Sequence, residues 1–255
     1  MIPAPITVTS AVVIPMAAPH CPTHILGQDH MQDQQAELDW TDGHIPISRR
    51  FDDPYFSLDN GWEETRHVFL AGNGLPGRFG GRFQIAELGF GTGLNCLVTQ
   101  KAWQAAGSPG HVSFTTFEAF PMAIVDMATA LAAFPELAGV TGPFLEALGC
   151  GSGPYGLAEG FTLTIIRGDA RETLPLWDRR AHAFFLDGFS PAKNPEMWGP
   201  DLMAAVAGHL KPGGTLATYT AAGHVRRALA DAGLEVTRAP GYGRKRHMTI
   251  ARKPQ

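Results

Sequence analysis

The chain has 255 residues, 44% hydrophobic and 17% charged, enough for the core of one decorated α/β domain and short for two ordinary ones. Its formal net charge of −4 and pI near 6.2 exclude a protein that coats nucleic acid nonspecifically, so any nucleic-acid contact comes from a local patch. Three scattered cysteines (Cys21, Cys96, Cys150) with no C-x-x-C pair indicate neither a disulfide framework nor a bound metal and fit a reducing, cytoplasmic compartment, and no apolar run reaches the roughly 18 residues of a membrane span.

In chain order, residues 1–32 read as a disordered N-terminal extension or an over-long start upstream of Met31. Residues 6–18 are mildly apolar, but no Lys or Arg precedes them, as a signal peptide would require. The cluster His20, Cys21, His24 and His30 matches no zinc spacing. Residues 33–83 mix short apolar runs with Gly and Pro and predict an α+β cover of short strands and a helix on one edge of the domain. From there strands and helices alternate. Strands are predicted at 84–88, 111–118, 162–167, 183–186 and 215–220, with helices at 94–105, 121–134, 202–210 and 225–232. Two closing strands around Val236 and Met248 form an antiparallel hairpin, and the Gly-rich stretch 136–160 has no clear assignment. The pattern predicts a doubly wound, mostly parallel sheet of seven strands over residues 84–255.

The run Glu87-Leu88-Gly89-Phe90-Gly91-Thr92-Gly93-Leu94-Asn95 is a strand, a glycine turn and a helix start. Glycines let the backbone turn sharply and approach a ligand closely. The dinucleotide fingerprint would need glycine at position 94, where Leu94 stands, so the spacing is acid-x-G-x-G-x-G instead. An acid at the strand end repels phosphate and suits the cationic aminoacyl end of S-adenosylmethionine. Glu118 closes the second strand, where a carboxylate can accept both ribose hydroxyls. Asp169 follows the third, placed either to accept from the adenine amino group or to cap a helix. All three acids fall at the carboxyl ends of strands, the edge where open α/β sheets bind ligands. The fold expected is thus a Rossmann-like class I methyltransferase.

The fourth strand delivers Asp187 to the same edge, followed by Gly188-Phe189-Ser190-Pro191-Ala192-Lys193-Asn194-Pro195. An acid, an aromatic and a proline here suit an amine acceptor: the acid accepts from the amine and Phe189 packs on the substrate. The alternative is an ordinary Asx turn with Pro191 and Pro195 as punctuation, and Lys193 either faces substrate or is solvated.

These runs, with Phe51-Asp52-Asp53-Pro54-Tyr55-Phe56-Ser57, Glu63-Glu64-Thr65-Arg66 and Gly241-Tyr242-Gly243-Arg244-Lys245-Arg246, resemble the methyltransferase domain of the MnmC family and its stand-alone MnmD relatives, over roughly residues 38–252. The resemblance implies methylation of the amine of 5-aminomethyl-2-thiouridine at the wobble position of lysine, glutamate and glutamine type tRNA. It implies S-adenosylmethionine at Glu87, Gly89, Phe90, Gly91, Thr92, Gly93, Asn95, Glu118, Asp169, Asp187 and Tyr55, catalysis by Asp187 and Phe189, and substrate contacts by Pro191, Lys193, Arg244, Lys245 and Arg246. In MnmC a flavin-dependent oxidoreductase domain follows; here there is no second glycine fingerprint, so the expectation is no FAD and an aminomethyl uridine received ready-made. Ala119 and Ser190 depart from the lysine and alanine usual in the family.

A free alkyl amine is only about one part in a thousand neutral near pH 7, and an ordinary Asp is too weak a base to deprotonate it alone. The expectation is that Asp187 orients the amine while the site selects its neutral form. A basic patch formed by Arg226, Arg227, Arg244, Lys245, Arg246, Arg252 and Lys253 is expected at the rim for tRNA phosphates. The alternatives are a solvated hairpin, or an Arg246 paired with an acid inside the domain. Rival functions are methylation of a small-molecule or protein amine, and a non-catalytic cofactor-binding RNA module; an intact Asp187 and a complete glycine loop speak against the latter.

Overall fold

The computed structural model describes residues 35–41, 45–57 and 60–255; the expected 1–32 extension and the His20 cluster lie outside them. Strands β1 (Leu38–Trp40), β2 (Pro46–Ser48) and β3 (Asp53–Pro54) form a small antiparallel sheet. Helix α1 (Gly61–Thr65) follows, capped by the Asn60 side chain accepting from Glu63 N at 3.0 Å. Its turns continue through Arg66–Leu70 and Ala71–Asn73, burying Val68, Phe69 and Leu70.

The main body runs β4 (Arg82–Leu88), α2 (Leu94–Ala105), β5 (His111–Glu118), α3 (Ile124–Leu131), α4 (Thr141–Gly149), β6 (Tyr155–Ala158), β7 (Phe161–Arg167), α5 (Ala170–Thr173), β8 (Ala181–Leu186), α6 (Pro200–His209), β9 (Leu210–Thr218), α7 (Gly223–Asp231), β10 (Glu235–Pro240) and β11 (His247–Arg252). The sheet order is β10-β11-β9-β8-β4-β5-β7-β6. Strands β9, β8, β4, β5 and β7 are parallel, β11 is antiparallel to β9 and β10, and β6 is antiparallel to β7. The Rossmann-like expectation holds, but with eight strands rather than seven. The extra one, β6, comes from the Gly-rich stretch: four residues containing Gly156 carry no readable periodicity, and pairing to β7 makes them a strand.

Successive residues face opposite layers of the core. Phe83, Ile85 and Phe185 pack in one layer, with Leu97 and Val98 of α2; Ala86, Leu88, Phe184 and Leu186 pack in the other, with Met203 and Val206 of α6. The near-continuous apolar runs of β4 and β8 follow from burial on both faces.

After β4 the chain steps outward through β5 to β7, then returns to place β8 on the other side of β4. The crevice at such a switch is where doubly wound sheets bind ligands. The loops after β4 and β8 meet there: a Cβ on Gly89 (φ +80°) would lie 3.3 Å from the Gly188 Cα, so the strand ends come this close only without a side chain.

The β10–β11 hairpin forms as expected, but its register splits the expected basic patch. Thr249 pairs with Thr218 and Arg252 with Thr215, so Arg252 points the chain away from the carboxyl edge of β9. Lys253 Nζ donates to the Ala207 and Leu210 carbonyls (2.7 and 3.0 Å), satisfying the C-terminal end of α6 rather than facing a ligand. Among the described residues no helix is long and apolar enough to cross a membrane.

Candidate active site

A cleft of about 710 Å³ opens above the carboxyl ends of β4, β5, β8 and β9, roofed by the segment around β3 and by the β10–β11 turn. Its floor is the glycine loop. Gly91 has φ +54°, and a Cβ there would sit 3.0 Å from the Tyr55 ring, so any side chain is strained and crowds that ring. Gly93, at φ +79°, does not line the cleft; a Cβ on it would meet Phe144 at 2.5 Å, so this glycine lets α2 start against α4.

Glu118 holds the loop. Its Oε2 accepts from Phe90 N (2.8 Å) and Gly91 N (2.9 Å), and its Oε1 from Phe120 N (2.7 Å). Three backbone donors thus fix the Glu118 carboxylate at the cleft wall, where the sequence places a contact to the ribose hydroxyls. Asp169 caps the helix it precedes and also lines the cleft. Its Oδ1 accepts from Arg171 N at 2.8 Å and its Oδ2 from the Arg171 guanidinium at 2.6 Å, with the pair at the cleft wall.

At the centre stands an Asn95 amide between two carboxylates. Its Nδ2 donates to Glu87 Oε1 (2.9 Å) and Asp187 Oδ2 (2.6 Å), while its Oδ1 accepts from Thr65 Oγ1 (2.8 Å). Glu87 lies behind this amide, is 1% exposed and does not line the cleft, unlike the surface-facing acid expected to pair directly with the cofactor's aminoacyl end. Burial, and then the Asp187 charge, push Glu87 well above the ordinary carboxylate range, against the Asn95 amide and the Thr116 hydroxyl, which pull it back. Asp187 does line the cleft. Burial raises it to about 6, against the Gly188 N–H and the Asn95 amide, which favour its ionised form.

The loop after β8 is clamped from the N-terminal cover. Asp53 Oδ2 accepts from Ser190 N at 2.7 Å, Lys193 Nζ pairs with Asp52, and Phe51 stacks on Phe189 with centroids 4.7 Å apart. Tyr55 meets Phe189 edge-on at 5.0 Å. Lys193 is thus not simply solvated: it pairs with Asp52 and lines the cleft. From the hairpin, Arg244 and Lys245 line the cleft, whereas Arg246 is exposed and outside the lining, with no ion pair to an acid among the described residues, and Pro191 is also outside the lining. Phe90, Thr92 and Asn95 line it as expected.

Glu64, Tyr219, Arg50 and Phe51 line the cleft without having been singled out as site residues. Tyr219 directly follows β9, so the rule that strand carboxyl ends carry the site was enough to find it. The others come from the cover segment, whose placement no local pattern reveals.

The cleft suits S-adenosylmethionine: a glycine loop for its floor, aromatic walls and the Asp187 carboxylate match an amphipathic cation. A profile of the S-adenosyl-L-methionine-dependent methyltransferase family matches residues 154–254, which include β8 and its loop. The tRNA 5-methylaminomethyl-2-thiouridine biosynthesis bifunctional protein MnmC of Pseudomonas paraeruginosa is 48% identical over 225 residues, covering 84% of this chain and 34% of that protein. The protein of that name from Chromobacterium violaceum is 46% identical over 229 residues, covering 86% and 34%. The chain spans about a third of the length of these relatives. It is also similar to the crystal structure of MNMC2 from Aquifex aeolicus, with a TM-score of 0.70 and 25% identity over 88% of this chain and 73% of that one. Sequence and fold agree: the chain belongs to the S-adenosylmethionine-dependent methyltransferases and is a relative of the MnmC proteins.

Proposed function

We propose that this chain methylates the amine of 5-aminomethyl-2-thiouridine at the wobble position of tRNA of the lysine, glutamate and glutamine type, giving the 5-methylaminomethyl form, in the cytoplasm. The observation that carries this reading is Asp187: a carboxylate at the cleft wall, fixed by Asn95 and Gly188 N–H, beside the aromatic cluster of Phe189, Phe51 and Tyr55.

When bound, S-adenosylmethionine supplies an electrophilic methyl group on its sulfonium. The glycine loop, Tyr55 and the Asp169 wall would hold it, and Glu118 keeps that loop in shape. Asp187 orients the amine and accepts its proton. Handing a proton from an alkylammonium of pKa about 10.4 to an ordinary aspartate is uphill by about 6.5 units, or about 9 kcal/mol. With Asp187 at about 6 the gap narrows to about 6 kcal/mol, so burial makes the same residue a better base. The free pair on nitrogen would then face the methyl group that the bound donor supplies, with Asp187 holding the released proton. Lys245, an ammonium already seated in the cleft, argues that the site tolerates a cation, which favours proton transfer within the site over selection of the neutral amine.

The test is incubation of the purified chain with the methyl donor and tRNA carrying 5-aminomethyl-2-thiouridine, followed by nucleoside mass spectrometry. Conversion to the 5-methylaminomethyl form is expected. No gain of methyl on that nucleoside, with the donor bound, would refute the substrate.

A further inference from the structure

One hairpin cation turns into the cleft instead of out of it. Lys245 Nζ lies 2.7 Å from Glu64 Oε1 and 4.2 Å from the centroid of the Tyr219 ring. The Glu64 side chain is 12% exposed, the Lys245 side chain 45%. The Tyr219 hydroxyl donates to the Gly188 carbonyl at 2.7 Å, which fixes the ring beside Asp187. All four side chains line the same cleft.

A carboxylate with an aromatic face beside it is a receptor for an ammonium. The group it now holds, a primary ammonium on a methylene, is chemically the same as the end of an aminomethyl substituent. Glu64 is mostly withdrawn from water, so leaving it unpaired is costly, while exchanging one ammonium for another keeps the cleft's charge constant. Lys245 has the longer tether and the more exposed stem, so it is the partner able to withdraw.

We propose that Glu64 and the Tyr219 face form the reception site for the substrate's ammonium, and that Lys245 fills it as a displaceable stand-in until the substrate arrives. This rests on the amine-methylation reading above and goes beyond it. It assigns a specificity-determining carboxylate distinct from the proton acceptor. Around Asp187 the charged or titratable neighbours are then Glu64 from α1, Lys245 from the hairpin, Glu87 from β4 and Tyr219 after β9.

The experiment compares two ligands on the full chain near pH 7: tRNA carrying 5-aminomethyl-2-thiouridine, and the same tRNA carrying 2-thiouridine. The ratio of their affinities isolates the amine. In the wild type the ratio should be roughly ten or more, the size of a hydrogen bond to a charged group. Glu64→Gln should bring it to about one, Glu64→Asp should keep part of it, and Lys245→Met should enlarge it by removing the competitor. Methyl-donor affinity and thermal melting, measured on each variant, verify that the fold is intact. The inference is overturned if Glu64→Gln keeps the wild-type ratio. It is equally overturned if Glu64→Gln and Lys245→Met move the ratio the same way, which is what a pair that merely pins the hairpin would give. A wild type that fails to methylate the aminomethyl tRNA overturns the function itself and this inference with it. A wild type that methylates, with an unaltered ratio in Glu64→Gln, sinks the inference alone.

Discussion

Burial lifts the Asp187 carboxyl from its ordinary 3.8 to about 6, with Glu64 pushing the same way and Lys245 pulling back. As the proposed proton acceptor it must be ionised, so kcat/KM should fall about tenfold per pH unit below about pH 6. Asp187→Asn should abolish that limb and lower the rate at pH 7.5 by roughly 10²- to 10³-fold, with methyl-donor affinity little changed. A pH–rate profile on both proteins checks this, and an unchanged acidic limb in the variant would move the base elsewhere. The same shift has a stability consequence. The native carboxyl keeps its proton to a higher pH than the unfolded one, so the native state binds more protons between about pH 4 and 6, and stability falls as pH rises through that window. Glu87, also raised, adds with the same sign. Urea unfolding at several pH values should show the fall, and Asp187→Asn should flatten it. Gly89→Ala tests the other half of the cleft. A side chain at φ +80° costs about 1–2 kcal/mol, here with the Gly188 backbone in the way. Melting should drop by about 2–8 °C and methyl-donor affinity should weaken; calorimetry decides both.

At the level of elements, the loop after β8 owes its shape to the cover segment as much as to its own prolines. Asp53 satisfies the Ser190 N–H, Phe51 stacks on Phe189, and the Phe189 carbonyl accepts from Trp198 Nε1 at 2.9 Å. Asp53→Ala leaves a half-buried N–H without its acceptor, a loss of about 1–3 kcal/mol confined to this loop. Amide exchange in residues 188–195 should speed up while β4 and β8 stay protected. Equal protection in the variant would mean the loop is rigid without the clamp. The glycine loop is braced differently, by Glu118 from the neighbouring strand β5, so the two walls of the cleft are fixed by independent parts of the chain.

Across the whole molecule the net charge is −4, yet the cleft rim carries Arg50, Arg171 and Arg244. We propose that Arg244, which lines the cleft, meets a tRNA phosphate there. Arg244→Glu should weaken tRNA binding and reduce the steepness of its log–log salt dependence by about 0.7 to 0.9, while methyl-donor affinity holds. Binding isotherms at several salt concentrations measure it; a slope that survives the reversal puts the docking surface elsewhere.

The sheet's alternating order, the glycine turn and the acids at the strand ends are legible in the chain alone, because each is a local matter: a period of two, a run of glycines, a residue count from the end of an apolar run. The same local reading reaches α2 to the residue, Leu94–Ala105. Tertiary structure alone decided which acids face the cleft. Glu87 and Asp187 end neighbouring parallel strands, and only the interposed Asn95 hides the first and leaves the second accessible. It also decided the inward turn of Lys245 and the clamp by Asp53, contacts between residues 181 and 137 positions apart in the chain. Charge and spacing mark such residues as polar and exposed; whether one meets water, a phosphate or a buried carboxylate depends on what distant segment folds over it.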